Sequence, residues 1–267
     1  MKISHESPIC LLNQSREYND YDYALVHLFE EIPEYYEFFV ESLKQGRHVL
    51  LDNSIFELGT SFNPDKYIDW ILKLNPTEFI IPDVLEDTIG TMDSALDFME
   101  KYGDKVKHIK KIGVVQGRSY EELVQCYQYM DDVIKVDKVA ISFDYSYYQK
   151  VTPHPNKWMG YTLGRAQTIT SLLNDGIINT KKPHHLLGCA LPVEFMFYRG
   201  FDWIETIDTS NPVVHGLLGV GYGPGGLTSK KSIKLVDLIH SPYPDFTHLE
   251  LIRHNIGKFR QIVRGCY

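Results

Sequence analysis

Short apolar runs, each followed by a stretch of helical pattern, limit the fold of this 267-residue chain more than any other feature. The runs are Tyr23–Leu28, His48–Asn53, Glu78–Asp83, Lys111–Gly117, Lys138–Phe143, His185–Ala190 and Trp203–Asp208. An eighth falls on Val213–Val220, diluted by glycines. Near-continuous apolar runs of this length suit strands covered on both faces, as in parallel sheets. The segments between them read as helices: Pro33–Lys44, Asn63–Leu74, Asp87–Tyr102, Ser119–Met130, Gly164–Leu173, Pro192–Tyr198 and Thr247–Val263. Local chemistry supports several of these. Asn63 can cap with Pro64 at the first helical position, Ser119-x-x-Glu122 reads as a capping box, and Gly103 is placed to close the third helix. The alternation predicts a single-domain α/β protein, a (β/α)8 TIM barrel over residues 1–267, with a doubly wound open sheet as the alternative.

Composition narrows the class further. A chain that is 43% hydrophobic and 23% charged can bury a sizeable core, and no apolar run approaches the ~20 residues a membrane span needs. The stretch from Met1 to Asn13 lacks the basic and apolar regions of a signal peptide, so a cytoplasmic setting is expected. The four cysteines (Cys10, Cys126, Cys189, Cys266) have no C-x-x-C spacing and are expected to be free thiols rather than a zinc site. With a formal charge of −8, any grip on nucleic acid has to be local. Basic patches at Lys105–Lys111, Lys181–His185, Lys230–Lys234 and Arg253–Arg264 are each, taken alone, most simply solvated surface. The connection Asp144–Leu163, rich in tyrosine and carrying Trp158, reads as a long loop over the active-site face.

In a barrel of this kind, polar groups at the C-terminal ends of strands are the first suspects for chemistry. Those ends carry Asp52-Asn53-Ser54, Asp83, Gln116-Gly117, Asp144, Gly188-Cys189 and Asp208-Thr209-Ser210. A strand-end aspartate on its own often just caps the next helix; four sharing one mouth favour a site. Repulsion among them raises some pKa values, so that one carboxyl can donate a proton while another stays ionised. Side chains alternate along Trp203–Asp208, which leaves Asp208 as the accessible carboxylate and Glu205 mid-strand. Gly219–Gly226 lacks the spacing of a nucleotide-binding loop and reads as a flexible loop. The histidines form no metal-binding grouping, and His184-His185, at a strand start, are expected at the far end of the barrel. No metal or cofactor is predicted, and no Ser or Cys lies in a G-x-S-x-G elbow.

Four segments then resemble one family. Leu51-Asp52-Asn53-Ser54-Ile55-Phe56-Glu57 resembles the D-S-G-G-F/Y-Q segment of the tRNA-guanine transglycosylases. Gly113-Val114-Val115-Gln116-Gly117 is similar to their G-I-V-Q-G, and Leu187-Gly188-Cys189-Ala190 to their G-G-L-A. Tyr198-Arg199-Gly200-Phe201-Asp202, followed by an acidic strand end, is similar to R-G-x-D-x-F-D. The four occur in the family's order between Val49 and Ser210.

The resemblance implies base exchange. A carboxylate attacks C1′ of a guanosine, guanine leaves, and a queuosine-related 7-deazaguanine enters. On this implication Asp208 is the nucleophile and Asp52 the general acid/base, while Phe56 stacks on the base. Asp83 and Gln116 read its edge, and the Gly188–Cys189 backbone meets its carbonyl. Counted rigidly from Arg199-Gly200 the nucleophile falls on Glu205; a three-residue shift places it on Asp208, which the strand-end argument prefers. Ile55 stands where the family has glycine, which narrows the pocket, and the family's zinc motif and RNA-binding domain are absent from the sequence. That departure favours DNA over tRNA, as in transglycosylases of phages and bacterial modification clusters that insert preQ0-like bases into DNA. It implies a bacterial or phage-infected cell, and the acidic charge makes a helper protein plausible. The alternatives are a tRNA-guanine transglycosylase, a non-catalytic nucleobase-binding barrel, and a small-molecule lyase or hydrolase on the same scaffold.

Overall fold

A computed structural model describes residues 1–265. Its strands are β1 (Lys2–Ser4), β2 (Asp22–Leu25), β3 (Val49–Asp52), β4 (Glu78–Ile80), β5 (Lys110–Val115), β6 (Lys138–Ser142), β7 (His184–Leu187) and β8 (Ile204–Asp208). All are parallel and follow the order β1-β8-β7-β6-β5-β4-β3-β2, a nearly closed barrel with helices packed around it. The order leaves β1 and β2 at its two ends. Their seam is stitched by side chains as well as backbone. Ile3 N–H donates to Asp20 Oδ2 (2.9 Å), Asp20 N–H returns a bond to the Ile3 carbonyl (2.9 Å), and His5 N–H donates to Asn19 Oδ1 (2.7 Å). Arg260, on the C-terminal helix Phe246–Arg264, donates to Asp20 Oδ1 (2.6 Å) and so clamps the seam from outside.

The core follows from the apolar runs. Val49, Leu50 and Leu51 of β3 are fully buried, as are Val139 and Ala140 of β6. Each buried Leu or Val contributes about 1.5–3 kcal/mol relative to leaving it in water. Helix Pro64–Leu74 starts as expected, with Asn63 accepting from the N–H groups of Asp65 and Lys66. Ser119 Oγ accepts from Glu122 N–H, but Glu122 reaches back to Arg118 N–H rather than completing the box on Ser119.

Three expectations need correction. The eighth strand is not Val213–Val220 but β1, at the N-terminus, which is only three residues long. Val213 and Val214 instead lie in the helix Asn211–Leu217, where Pro212 presets the first turn. Gly216 lets that helix approach the C-terminal one so closely that a Cβ would sit 2.5 Å from Ile252 Cγ1. Gly103 does not end its helix, which runs Thr88–Val106. The connection Asp144–Leu163 is largely helical, as Ser146–Val151 and the start of Lys157–Asn174. Its Tyr145 and Tyr148 are core residues, with hydroxyls donating to the carbonyls of Val115 and Ser142. Cys10, Cys126 and Cys189 are free thiols; Cys266 lies outside the described residues.

At the end of the barrel where the strands begin, charge is neutralised pairwise. Lys138 Nζ lies 2.8 Å from Glu78 Oε1 and 2.9 Å from Glu205 Oε2, and Lys2 lies 3.7 Å from Glu205. His48 Nε2 adds a contact of 2.9 Å to Glu78. Burial alone pushes the Glu78 carboxyl up, but the His48 hydrogen bond and the Lys138 charge outweigh it and bring the pKa to about 2, from an ordinary 4.5. A depressed carboxylate stabilises the fold above its unfolded pKa, and that contribution disappears as pH falls through the folded value. Wild-type protein should therefore lose stability relative to Glu78→Gln as pH drops from about 4.5 to about 2. Urea midpoints for the two proteins across that window check this; parallel curves would refute it.

Candidate active site

The opposite end of the barrel holds a cavity of about 320 Å³, small but within the range of ligand pockets. Asp52, Asp83, Gln116, Asp144, Gly188, Cys189 and Asp208, all expected at strand ends, line it together. Phe56 and Ile55 line it too, from the short helix Ile55–Leu58.

Asp52 ends β3. Its Oδ2 accepts from Tyr23 Oη (2.6 Å), and its Oδ1 accepts from the N–H of Ser54. Ser54 is left-handed (φ 62°), a conformation that disfavours residues with a Cβ and that here turns the chain sharply out of the strand. Asn53 Oδ1 accepts from Ile55 N–H, and its amide donates to Asp83 Oδ1 (2.7 Å). Burial, then the nearby Glu57 charge, raises the Asp52 pKa well above the usual carboxyl range, against the pull of its hydrogen bonds.

Asp83 is nearly inaccessible, and burial raises its pKa too. Gln116 Nε2 donates to Asp83 Oδ2 (2.6 Å), while Gln116 Oε1 accepts from Glu86 N–H (2.9 Å). The amide orientation is thereby fixed at both ends.

Asp208 ends β8. Gly188 N–H donates to both its oxygens (3.2 and 3.3 Å), and His185 Nε2 lies 3.0 Å from its Oδ1. His185 does not sit at the far end of the barrel, as its place near a strand start implied. Fully buried in β7, it contacts Thr206 Oγ1 through Nδ1 (2.9 Å) and stacks on Tyr23 (centroids 6.0 Å, 19°). The strand is only four residues long, so its second residue already reaches toward the site. Glu205 is turned away, held by Lys138 and Lys2 as described above.

Gly188 is bound by geometry. It has φ +61°, and a Cβ there would meet Phe143 Cδ1 at 2.5 Å. Its carbonyl accepts from Arg165 Nη2 (3.0 Å), and Arg165 also donates to the Leu187 carbonyl (2.9 Å) and pairs with Glu194. Cys189 is buried, and burial pushes its thiol up, which suits a wall and not a nucleophile.

Two carboxyl groups at the mouth were not singled out in the sequence. Glu6, just after β1, lines the cavity. Burial first, then the charges of Asp208, Glu57 and Asp52 together with a side-chain hydrogen bond to Asp208, raise its pKa well above 4.5. Glu57 is raised to about 7, chiefly by burial, with Lys234 opposing and Asp208 and Asp144 adding to it. Glu6 was obscured because its strand was too short to be recognised; the acidic residue six positions from the terminus was the available signal. Among the described residues, no group of three or more His, Cys, Asp or Glu side chains is arranged to hold a metal ion.

Aromatic rings and lysines surround the opening. Phe56 and Phe143 pack with centroids 5.7 Å apart, and the face of Phe56 is covered by Lys234 Nζ at 4.3 Å. Lys230, read as surface charge, lies over Phe143 and donates to the Cys189 carbonyl (3.2 Å).

No protein-family model matches the chain, and no curated protein matches it in sequence. A buried carboxyl whose pKa is raised disfavours the fold once pH passes the unfolded value, since its ionised form is resisted only in the native state. Glu6→Gln, whose amide can still donate to Asp208, should therefore raise Tm at pH 8 relative to wild type. The gain should vanish below about 4.5, where both side chains are neutral. A single kcal/mol corresponds to roughly 2–4 °C in a domain of this size. An unchanged Tm at pH 8 would count against the crowded, proton-holding mouth.

Proposed function

We propose that this protein is a base-exchange transglycosylase that replaces guanine in DNA with a 7-deazaguanine of the preQ0 kind. The observation that carries the reading is that Asp52 and Asp208, at the ends of β3 and β8, face one small cavity and differ in environment. Asp52, with its raised pKa, is suited to hold a proton; Asp208 is aimed by the Gly188 N–H and by His185. Two carboxyl groups with distinct surroundings are what a nucleophile and a general acid require.

In the proposed cycle an Asp208 oxygen forms a bond to C1′ while the C1′–N9 bond breaks, and its electron pair leaves with guanine. The Asp52 carboxyl gives guanine a proton. The incoming base then returns a proton to Asp52 and displaces Asp208 from C1′. Asp83, Gln116 and the Gly188–Cys189 backbone are the groups around the base, and Phe56 is its platform once Lys234 moves off the ring. Since the Gly188 N–H is engaged with Asp208, meeting a base carbonyl requires that bond to be exchanged. We further read the chain as a (β/α)8 barrel acting in the cytoplasm of a bacterial or phage-infected cell without a cofactor. No described helix is long and apolar enough to cross a membrane.

The test is adduct trapping on denaturing gels with guanine-containing DNA or tRNA, scored beside incorporation of labelled 7-deazaguanine. Asp208→Ala should abolish adduct and incorporation, Asp52→Asn should slow incorporation by about 10²–10⁴-fold, and Glu205→Ala should do neither. Incorporation into tRNA alone would move the substrate to RNA. Turnover on neither nucleic acid with excess base would leave a nucleobase-binding barrel or a small-molecule enzyme.

A further inference from the structure

The lysines around the cavity form a continuous row with the aromatic rings. Lys157 Nζ lies 4.4 Å from the ring centre of Trp158, and Lys230 Nζ lies 5.5 Å from the same ring. Lys230 also lies 4.5 Å from the Phe143 ring; Phe143 packs on Phe56, which carries Lys234 at 4.3 Å. Lys234 Nζ donates to the Phe56 carbonyl (2.8 Å), and the neighbouring Lys231 is exposed. Three of these lysines come from one segment that follows the helix Asn211–Leu217 and folds back over the opening. It is pinned there. Lys231 N–H donates to His215 Nε2 (3.2 Å), Tyr222 N–H to Asn255 Oδ1 (2.7 Å), and Tyr222 Oη to Asn211 Oδ1 (2.5 Å).

Inside that cationic margin the wall is acidic, with Glu6, Asp52, Asp83 and Asp208. The wall offers a phosphate carboxyl groups and no cation, so its counter-charge lies at the edge, among the lysines. The cavity, at about 320 Å³, takes a compact group and not an extended chain. A ligand that satisfies both must present an uncharged unit inward and carry several anionic charges beside it. A single phosphate engages one or two lysines and leaves the rest of the row unused. An extended phosphodiester chain with one base turned into the cavity engages the whole row, and its neighbouring bases meet aromatic faces.

We propose that residues 219–238 form a strap whose Lys230, Lys231 and Lys234, together with Lys157 and Trp158, hold the phosphates on either side of a single extruded nucleotide. The proposal rests on the transglycosylase reading only in taking the inserted unit to be a nucleobase. It assigns polynucleotide binding to one edge of a protein whose formal charge is −8.

The experiment measures binding of a fluorescent single-stranded oligonucleotide to full-length protein between 50 and about 300 mM salt. Lys231→Gln/Lys234→Gln, confined to exposed side chains, should weaken binding by at least tenfold at low salt. It should also flatten the slope of log affinity against log salt by about 1.4, since each single-strand phosphate contact contributes about 0.7. Lys231→Arg/Lys234→Arg should bind as wild type does. A control, Lys105→Gln/Lys107→Gln, lies at the opposite end of the barrel, where the helix Thr88–Val106 ends, and should change nothing. Equal losses in the control and the strap variant, or unchanged binding in the strap variant, would overturn the proposal. So would equally tight binding of poly-glutamate of matched length. Guanine exchange is scored separately. Strap-dependent binding without exchange leaves the strap standing and removes the transglycosylase reading; exchange with strap-independent binding does the reverse.

Discussion

Arg165 sits where water cannot reach it, and the geometry of the mouth depends on how its charge is satisfied. A guanidinium buried without partners costs several kcal/mol. Here Glu194 takes one edge, and the carbonyls of Ile141, Leu187 and Gly188 take the remaining donors. Those carbonyls are the exits of β6 and β7, so one side chain fixes two strand ends to the 3-10 helix Pro192–Tyr198. Tyr198 Oη completes the arrangement by donating to Glu194 Oε1 (2.6 Å). With its carbonyl drawn toward Arg165, the left-handed Gly188 must present its N–H on the other side, where Asp208 lies. Substituting the planar guanidinium by lysine would keep a charge but lose the fork that reaches four acceptors at once.

The two ends of the barrel solve the burial of charge in opposite ways. Where the strands begin, Glu78 and Glu205 share Lys138, with Lys2 and His48 alongside, and the Glu78 pKa falls. Where the strands end, carboxyl groups crowd one another and burial raises the pKa values of Glu6, Asp52 and Asp83. The first arrangement supports the fold. The second opposes it, and such an arrangement persists at sites used for chemistry, where local rules are broken and compensated elsewhere. The barrel interior links the two ends through Lys138, Thr206, His185 and Asp208 in successive contact.

Much of this was legible in the sequence because the period of burial is coarse. β2 to β8 were found from their apolar runs, and the strand-end rule collected Asp52, Asp83, Gln116, Asp144, Gly188 and Asp208 in the same cavity. The misses have local causes. β1 has three residues, and two inward side chains carry no periodicity, so Glu6 went unnoticed with it. Val213 and Val214 have strand-forming side chains, yet Pro212 and the tight packing of Gly216 on Ile252 favour a helix. Gly103 is tolerated inside a helix whose other residues bury a good face, because one glycine costs only about 1 kcal/mol. His185 was misplaced because position within a strand fixes height only when the strand's length is known. The lysine row was invisible for another reason: Lys157 and Lys234 lie far apart in sequence, and only the fold brings them to one edge.

An acidic protein with a cationic edge raises the question of which field a polyanion senses first. At physiological salt the Debye length is about 8 Å, so acidic surface farther away is largely screened, while lysines in contact with phosphate are not. The net charge of −8 therefore weighs on the approach more than on the bound state. On the proposed binding mode, a strand at the edge would feel Lys230, Lys231 and Lys234 at short range; two of these ammonium groups already rest on ring faces that hold them at the opening. What the protein lacks is the long-range attraction that speeds encounter. Binding would then be slow to start and would depend on an opened, already extended strand being delivered to the edge. On that argument a helper that presents such a strand would act on the association rate and leave the contacts at the mouth unchanged.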